Sequence, residues 1–222
     1  VGLLFALLGF QFLNFFCKRE NCLDFNFVRV SRLSSLGNYL LFISLLYMNL
    51  VNRIPIGKES PNVINCIIEI PKDTNAKYEY DEELDIFRLN RCLYSSMRYT
   101  SSYGFIPQTF ALDDDPLDIV IYNNIPIQTG TLVEVKPIAV LDMTDNGDED
   151  YKIVGVPVSH VREYNTLRDL DPHWISTTEN FFSHYKALEN KEVVVNGWLS
   201  KTAAKKIIKN AHRRWCDLLH NG

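Results

Sequence analysis

Residues 112–120, Leu-Asp-Asp-Asp-Pro-Leu-Asp-Ile-Val, place Asp113, Asp114, Asp115 and Asp118 within six positions and then turn apolar. The apolar continuation, residues 117–122, is short and rich in β-branched side chains. That is the pattern of a strand whose mouth carries a cluster of acids. Comparable runs lie on both sides. Upstream, residues 63–70 (VINCIIEI) read as a strand, and residues 77–80 and 84–89 as two short strands joined by a polar turn. Downstream, residues 132–141, which alternate around Glu134 and Lys136, and residues 152–158 read the same way. Short, closely spaced strands with turn signals between them indicate a small barrel or sandwich.

Helices come late in the chain. Ser176-Thr177-Thr178-Glu179 has a capping box's spacing, with Phe181, Tyr185 and Leu188 following at helical intervals. Ser200 opens a second helix with Ala204, Ile207, Ile208, Ala211 and Trp215 on one stripe, and residues 191–196 (KEVVVN) read as a strand between the two. The fold expected is mainly β with flanking helices. No internal repeat or low-complexity tract interrupts it.

The chain has 222 residues, is 46% hydrophobic and 23% charged, and carries a formal charge of −4. That length suits one domain of ordinary size with some extra chain. The first sixty residues hold six basic side chains against Glu20, Asp24 and Glu59, a net +3, which leaves −7 for the remainder. An acidic globular part argues against a phosphate-backbone binder, which needs clustered Lys and Arg. The five cysteines (Cys17, Cys22, Cys66, Cys92, Cys216) form no CxxC pair, so reduced, buried thiols are expected rather than zinc or a disulfide scaffold.

The N-terminal segment stands apart. Residues 1–17 carry no charge, and neither do residues 33–52 between Arg32 and Arg53, although Ser and Asn interrupt the second run. The first is short for a membrane span and the second marginal. A leader, an anchor and an incidental extension are all open readings of residues 1–52, and the folded domain is expected over 53–222. The address expected is cytoplasmic, with an organelle or a membrane contact through residues 1–52 as the alternative.

A second acidic turn, residues 143–152, supplies Asp145, Asp148, Glu149 and Asp150 just before Lys152 and a strand. Two like charges 4 Å apart cost about 4 kcal/mol at an effective dielectric of 20. One such turn is ordinarily a solvated loop, but two that abut apolar strands call for a counter-charge. Oxygen donors without His or Cys favour a hard divalent ion, and the spacing is not that of an EF-hand. Lys77, Arg91, Lys152 and Lys186, with hydroxyls at Tyr99, Tyr103 and Tyr185, would suit a phosphate. Each alone is ordinarily a surface cation or a half-buried Tyr. Together with the acids they form what two-metal phosphoryl transfer needs.

From about Ile54 to Trp215 the sequence resembles the soluble family I inorganic pyrophosphatases, with wording nearest the plant-type members. Residues 113–119 (DDDPLDI) look like the family signature D-[SGDN]-D-[PE]-[LIVMF]-D-[LIVMGAC]. Supporting stretches are Ile68-Glu69-Ile70-Pro71, Lys77-Tyr78-Glu79, Asn90-Arg91, Tyr99 with Tyr103-Gly104-Phe105-Ile106-Pro107, Asp145 with Asp150 and Lys152, and His184-Tyr185-Lys186. Thr100 departs from the Pro usual after the first Tyr.

The resemblance implies a five-stranded OB-type barrel with two C-terminal helices. It implies hydrolysis of pyrophosphate to two phosphates by in-line attack of a water that bridges magnesium ions, several per site. It makes Asp113, Asp118, Asp145 and Asp150 metal ligands, with Glu69 and Glu79 as outer or further carboxylates. It makes Asp115 the general base, with Tyr103, Lys152 and Arg91 also catalytic. Lys77, Arg91, Tyr99, Tyr103, Lys152, Tyr185 and Lys186 would hold the phosphates. A homo-oligomer is implied, and no nucleic acid. The rivals are a non-catalytic OB module, which should show a basic face with stacking aromatics, and a degenerate scaffold, which should have lost a ligand position. Neither loss nor basic face is present.

Overall fold

The computed structural model describes residues 49–160, 163–189 and 191–221, with side chains to residue 219. Nine strands are described: β1 (Ile64–Ile70), β2 (Ala76–Asp81), β3 (Ile86–Cys92), β4 (Ser102–Phe105), β5 (Asp118–Ile121), β6 (Leu132–Asp145), β7 (Asp148–Glu149), β8 (Lys152–Pro157) and β9 (Val193–Ser200). Three α-helices accompany them: α1 (Leu50–Arg53), α2 (Pro172–His184) and α3 (Lys201–Asn221).

β1 pairs with β4, β4 with β5, β5 with β8, β8 with β6, and β6 back with β1. That ring is a closed five-stranded barrel, which leaves no open edge within it. β7 and β9 extend β6 beyond the ring, and β2–β3 form a separate hairpin. β6 serves so many partners because its fourteen residues outrun the barrel.

Alternation along the strands fills the interior. Ile64, Cys66 and Ile68 of β1, Ile119 and Ile121 of β5, Val135 and Val140 of β6 and Ile153 of β8 form one buried cluster. α3 closes one end of the barrel with Ala204, Ile208 and Ala211, which is why the apolar stripe of that helix is made of small and branched residues. A second cluster joins Tyr99, Tyr103, Val120, Leu141 and Met143 to Phe181, Phe182 and Tyr185 at the C-terminal end of α2. At Gly104 a Cβ would sit 1.9 Å from the Ile67 carbonyl oxygen, so only glycine lets β4 approach β1 this closely.

The expected strands are all present, and Ser200 caps α3 by accepting from the Ala203 amide at 3.3 Å. The start of α2 differs from expectation. Asp171 is the cap, accepting from the His173 amide at 2.9 Å, and Pro172 follows where the missing N–H costs nothing. Ser176 therefore lies one turn inside the helix and donates back to the Pro172 carbonyl. Glu179 accepts from the Trp198 indole instead of closing a capping box. Cys66 is buried as expected, whereas Cys92 at the end of β3 is exposed.

Packing reaches upstream of residue 53. Val51 is buried against Ile67 and Phe105, the Leu50 amide donates to the Tyr80 hydroxyl at 2.7 Å, and the Trp215 indole donates to Asn52 Oδ1 at 2.8 Å. The apolar run 1–17, and all of 33–52 but its last four residues, lie outside the described residues. Among the described residues no helix is long and apolar enough to cross a membrane.

Candidate active site

Strand register assembles one mouth of the barrel. β5 and β8 are parallel, with Ile119 opposite Ile153. Asp118 and Lys152 each precede those residues by one position, so the register sets them side by side. Asp150, two residues before Lys152, shares its face. The Lys152 ammonium binds both Asp118 and Asp150. It lies 5.7 Å from the centroid of the Tyr103 ring, which β4 presents opposite Val120.

Two β-bulges aim further side chains at this mouth. β1 pairs Ile68 with Gly104 but Ile70 with Tyr103, so Glu69 is the extra residue. β3 pairs Arg91 with Lys77 but Leu89 with Tyr78, so Asn90 is the extra one there. Bulges re-aim side chains in this way beside functional sites. Within β2, Lys77 Nζ meets Glu79 Oε1 at 2.5 Å, and across the hairpin Asn90 Nδ2 donates to Glu79 Oε2 at 2.5 Å. Arg91 forms an ion pair with Glu189, donating through Nε at 3.0 Å, with Nη2 2.8 Å from the other carboxylate oxygen. Lys186, just past α2, binds Asp145 at the end of β6, and its ammonium lies 5.2 Å from the Tyr185 ring centroid. A cavity of about 390 Å³ opens here, lined by Lys77, Glu79, Asn90, Arg91, Tyr94, Lys186, Glu189 and Lys191.

Asp113 and Asp115 stand on the loop between β4 and β5 and are exposed, as is Asp114. The loop is closed at its neck by the Ile106 amide donating to the Leu117 carbonyl (2.9 Å) and the Leu117 amide donating to Thr109 Oγ1 (2.9 Å). Asp114 has φ +68, a conformation that Gly, Asn and Asp tolerate best. Tyr99 sits beneath the mouth, 3% exposed and 4.9 Å from the Phe181 ring centroid.

The electrostatics record the crowding. Partial desolvation of groups that remain open to solvent on one side, and then the neighbouring charge of Asp118, raise the carboxyls of Asp113 and Asp115. Burial raises Asp150 as well, opposed by Lys152. Glu69 is pushed up to about 8, chiefly by desolvation and partly offset by the Tyr80 amide, which donates to it at 2.8 Å. Burial alone would depress the Lys152 ammonium, but Asp118 and Asp150 together reverse this and hold it above its ordinary range. Lys186 is lowered by burial, which Asp145 only partly opposes. Tyr103 and Tyr185 are raised well above their ordinary value, first by burial.

Sequence reasoning missed Glu189, Tyr94 and Lys191, which line the cavity, and Asn90 as a link in the hairpin. Glu189 follows Lys186 by one short turn, and that spacing is the signal that could have found it.

The acids at the mouth offer carboxylate oxygens, and Asp118 stands close enough to Asp113 and Asp115 to raise both. That donor set fits hard divalent ions. Among the described residues no three carboxylate, His or Cys side chains converge closely enough to cage an ion as they stand, because lysine ammoniums lie against Asp118, Asp150 and Asp145.

An acid-rich barrel mouth with cationic side chains around a cavity defines a class: phosphoryl-transfer enzymes that work with divalent ions. The family model described as inorganic pyrophosphatase matches residues 66–216. The inorganic pyrophosphatase of Saccharolobus solfataricus is 44% identical over 163 residues, covering 71% of this chain and 95% of its own length. Soluble inorganic pyrophosphatase 4 of Arabidopsis thaliana is 38% identical over 164 residues, covering 73% and 76%. The crystal structure of the Thermus thermophilus inorganic pyrophosphatase superposes with a TM-score of 0.73 at 34% identity, covering 76% of this chain and 99% of its own. The chain belongs to the inorganic pyrophosphatase family, whose members use divalent metal ions.

Proposed function

We propose that this protein hydrolyses inorganic pyrophosphate to two phosphates with magnesium, at the barrel mouth formed by β5, β6, β8 and the loop before β5. The observation that carries the reading is the pairing of lysines with carboxylates there: Lys152 with Asp118 and Asp150, and Lys186 with Asp145. Asp113, Asp118, Asp145 and Asp150 would hold the ions, with Glu69 and Glu79 behind them. When bound, magnesium would neutralise these acids and acidify the attacking water.

The chain's own groups do the rest. Ions on the carboxylates would free the Lys152 and Lys186 ammoniums to hold phosphate oxygens. Arg91 and Lys77 line the same cavity as Lys186 and add fixed positive charge. The Tyr103 and Tyr185 hydroxyls, kept protonated by burial, donate to phosphate. Tyr99 supports Tyr103, with the ring centroids 5.9 Å apart, and completes the phosphate-binding side. Asp115, exposed on its loop, accepts the proton of the attacking water.

Assembly with further copies of the same chain is part of the proposal, and sedimentation tests it. So is a domain reaching from about residue 53 to the C-terminus. The deciding experiment measures phosphate release from pyrophosphate with magnesium and with EDTA. Release that depends on magnesium supports the reading. Magnesium-independent release, or none, defeats it.

A further inference from the structure

The acidic loop is held from outside the barrel. Residues 108–110, just before it, give their backbone polar groups to the two ends of the folded chain. The Gln108 amide donates to the Val51 carbonyl at 2.8 Å, and His212 Nδ1 donates to the Gln108 carbonyl at 2.6 Å. The Phe110 amide donates to the Ala211 carbonyl at 3.0 Å, and Arg214 Nε donates to the Phe110 carbonyl at 2.8 Å. The Gln108 side chain adds its Oε1, which accepts from the Ile56 amide at 3.1 Å. Gln108 adopts φ +55 to make this junction.

Beyond residue 110 the holding bonds are few. The Ala111 amide donates to the Asp115 carbonyl at 2.8 Å, and the Asp115 amide reaches Asp113 Oδ1 at 3.4 Å. Asp113 and Asp115 are mutually repelling and exposed, so the loop gains by splaying away from Asp118. The limb through Asp118 is fixed in β5, so splaying must occur at the 108–110 limb, and Arg214 closes the last bond on that side. A guanidinium donor makes that bond charge-assisted.

We propose that Arg214 is a positioning residue: by holding the Phe110 carbonyl it fixes Asp113 and Asp115 relative to Asp118 and so sets the loop's affinity for divalent ions. This rests on the reading that those carboxylates bind ions. Arg214 itself touches neither ion nor substrate.

The test compares Arg214→Met, Arg214→Gln and Arg214→Lys with the wild-type protein. Gln places an N–H at the reach of Arg Nε without the charge, Lys keeps the charge with the donor one bond further out, and Met keeps only the bulk. Manganese binding is measured by calorimetry, amide exchange at residues 110–118 without metal, and melting temperature. Arg214→Met should weaken manganese binding roughly three- to tenfold, the scale of one lost hydrogen bond. It should speed exchange at Phe110 and Ala111 and move the melting temperature little. Arg214→Gln should restore most of the affinity and protection. Unchanged affinity in Arg214→Met overturns the proposal. So does rescue by Lys but not Gln, which would make Arg214 a source of field alone. If the wild-type protein binds no manganese, or Asp118→Asn binds it equally well, the reading of the site falls and the proposal with it. A failure confined to the Arg214 variants leaves that reading standing.

Discussion

The two acidic turns at the barrel mouth are built in opposite ways. The turn between β6 and β7 is a tight hairpin at Asn146-Gly147, with φ +53 and +93, and its flanks are paired in register. Such a turn matches the twist of its strands. Asp145 and Asp150 each have an ammonium partner there, Lys186 and Lys152. The loop of Asp113–Asp115 has neither ladder nor lysine ion pair among the described residues and is held at its neck. One half of the site is therefore neutralised by the chain itself. The other half is ordered against its own repulsion, and under the proposed function added ions would complete it.

The largest effect expected separates the halves by chemistry. Asp115→Asn keeps shape but removes the proton acceptor on the free loop, and should cut turnover by about 10²–10⁴-fold while magnesium still binds. Initial rates at saturating magnesium measure this. An unchanged rate would strip the loop of its chemical role.

Next comes a stability effect confined to the neutralised half. Lys152 is 3% exposed between two acids, so Lys152→Ala leaves Asp118 and Asp150 without a cation. Breaking a buried pair on one side costs on the order of 3–5 kcal/mol. The metal-free variant should melt well below wild type, magnesium should recover part of the loss, and Lys77→Ala, whose partner Glu79 is partly exposed, should melt close to wild type. Equal melting of all three would erase the distinction.

A smaller effect follows pH. Glu69 is raised from 4.5 to about 8 on folding, so between those values the native state holds more protons than the unfolded one. Stability of the metal-free protein should then fall as pH rises through that window. Scanning calorimetry in EDTA should show the fall between about pH 5 and 8, and Glu69→Gln should lessen it. A slope unaltered by the substitution removes Glu69 as its source. The smallest effect is at Asp114, whose side chain is exposed at a left-handed position. Asp114→Asn should change turnover by less than about twofold, since screening weakens a solvated charge. A loss matching that of Asp115→Asn would mean the run acts as one diffuse field.

Much of this molecule is legible in its sequence because the strands report themselves locally. Ile64–Ile70 and Leu132–Asp145 carry their burial pattern in their own β-branched residues. The acids and cations of the mouth are legible through the resemblance. What escapes is whatever depends on a distant partner. Ser176 resembles a cap until Asp171 and Pro172 take that place. Glu189 looks like any helical acid until Arg91, 98 residues away in the chain, meets it. The bonds from residues 211–214 to 108–110 each end on backbone groups, so nothing at residues 108–110 marks the partners His212 and Arg214 in the sequence. Helix α1 is hidden because Leu50, Val51 and Asn52 belong to the uncharged run 33–52 and only Arg53 falls outside it.

The closed ring of strands also dictates when the site can exist during synthesis. β1 and β4 emerge early, but their ring is completed only when β6 pairs Val135 with Ile64 and β8 enters beside β5. Until then β1 and β5 present unpaired edges, the kind of surface on which chains associate wrongly. Parallel pairing of β5 with β8 is a non-local contact and forms slowly. Lys186 and Glu189 arrive later still, and α3, which plugs the barrel, follows them. A nascent chain therefore has no complete mouth until residue 189 has emerged, and its early strands need shelter for that whole interval.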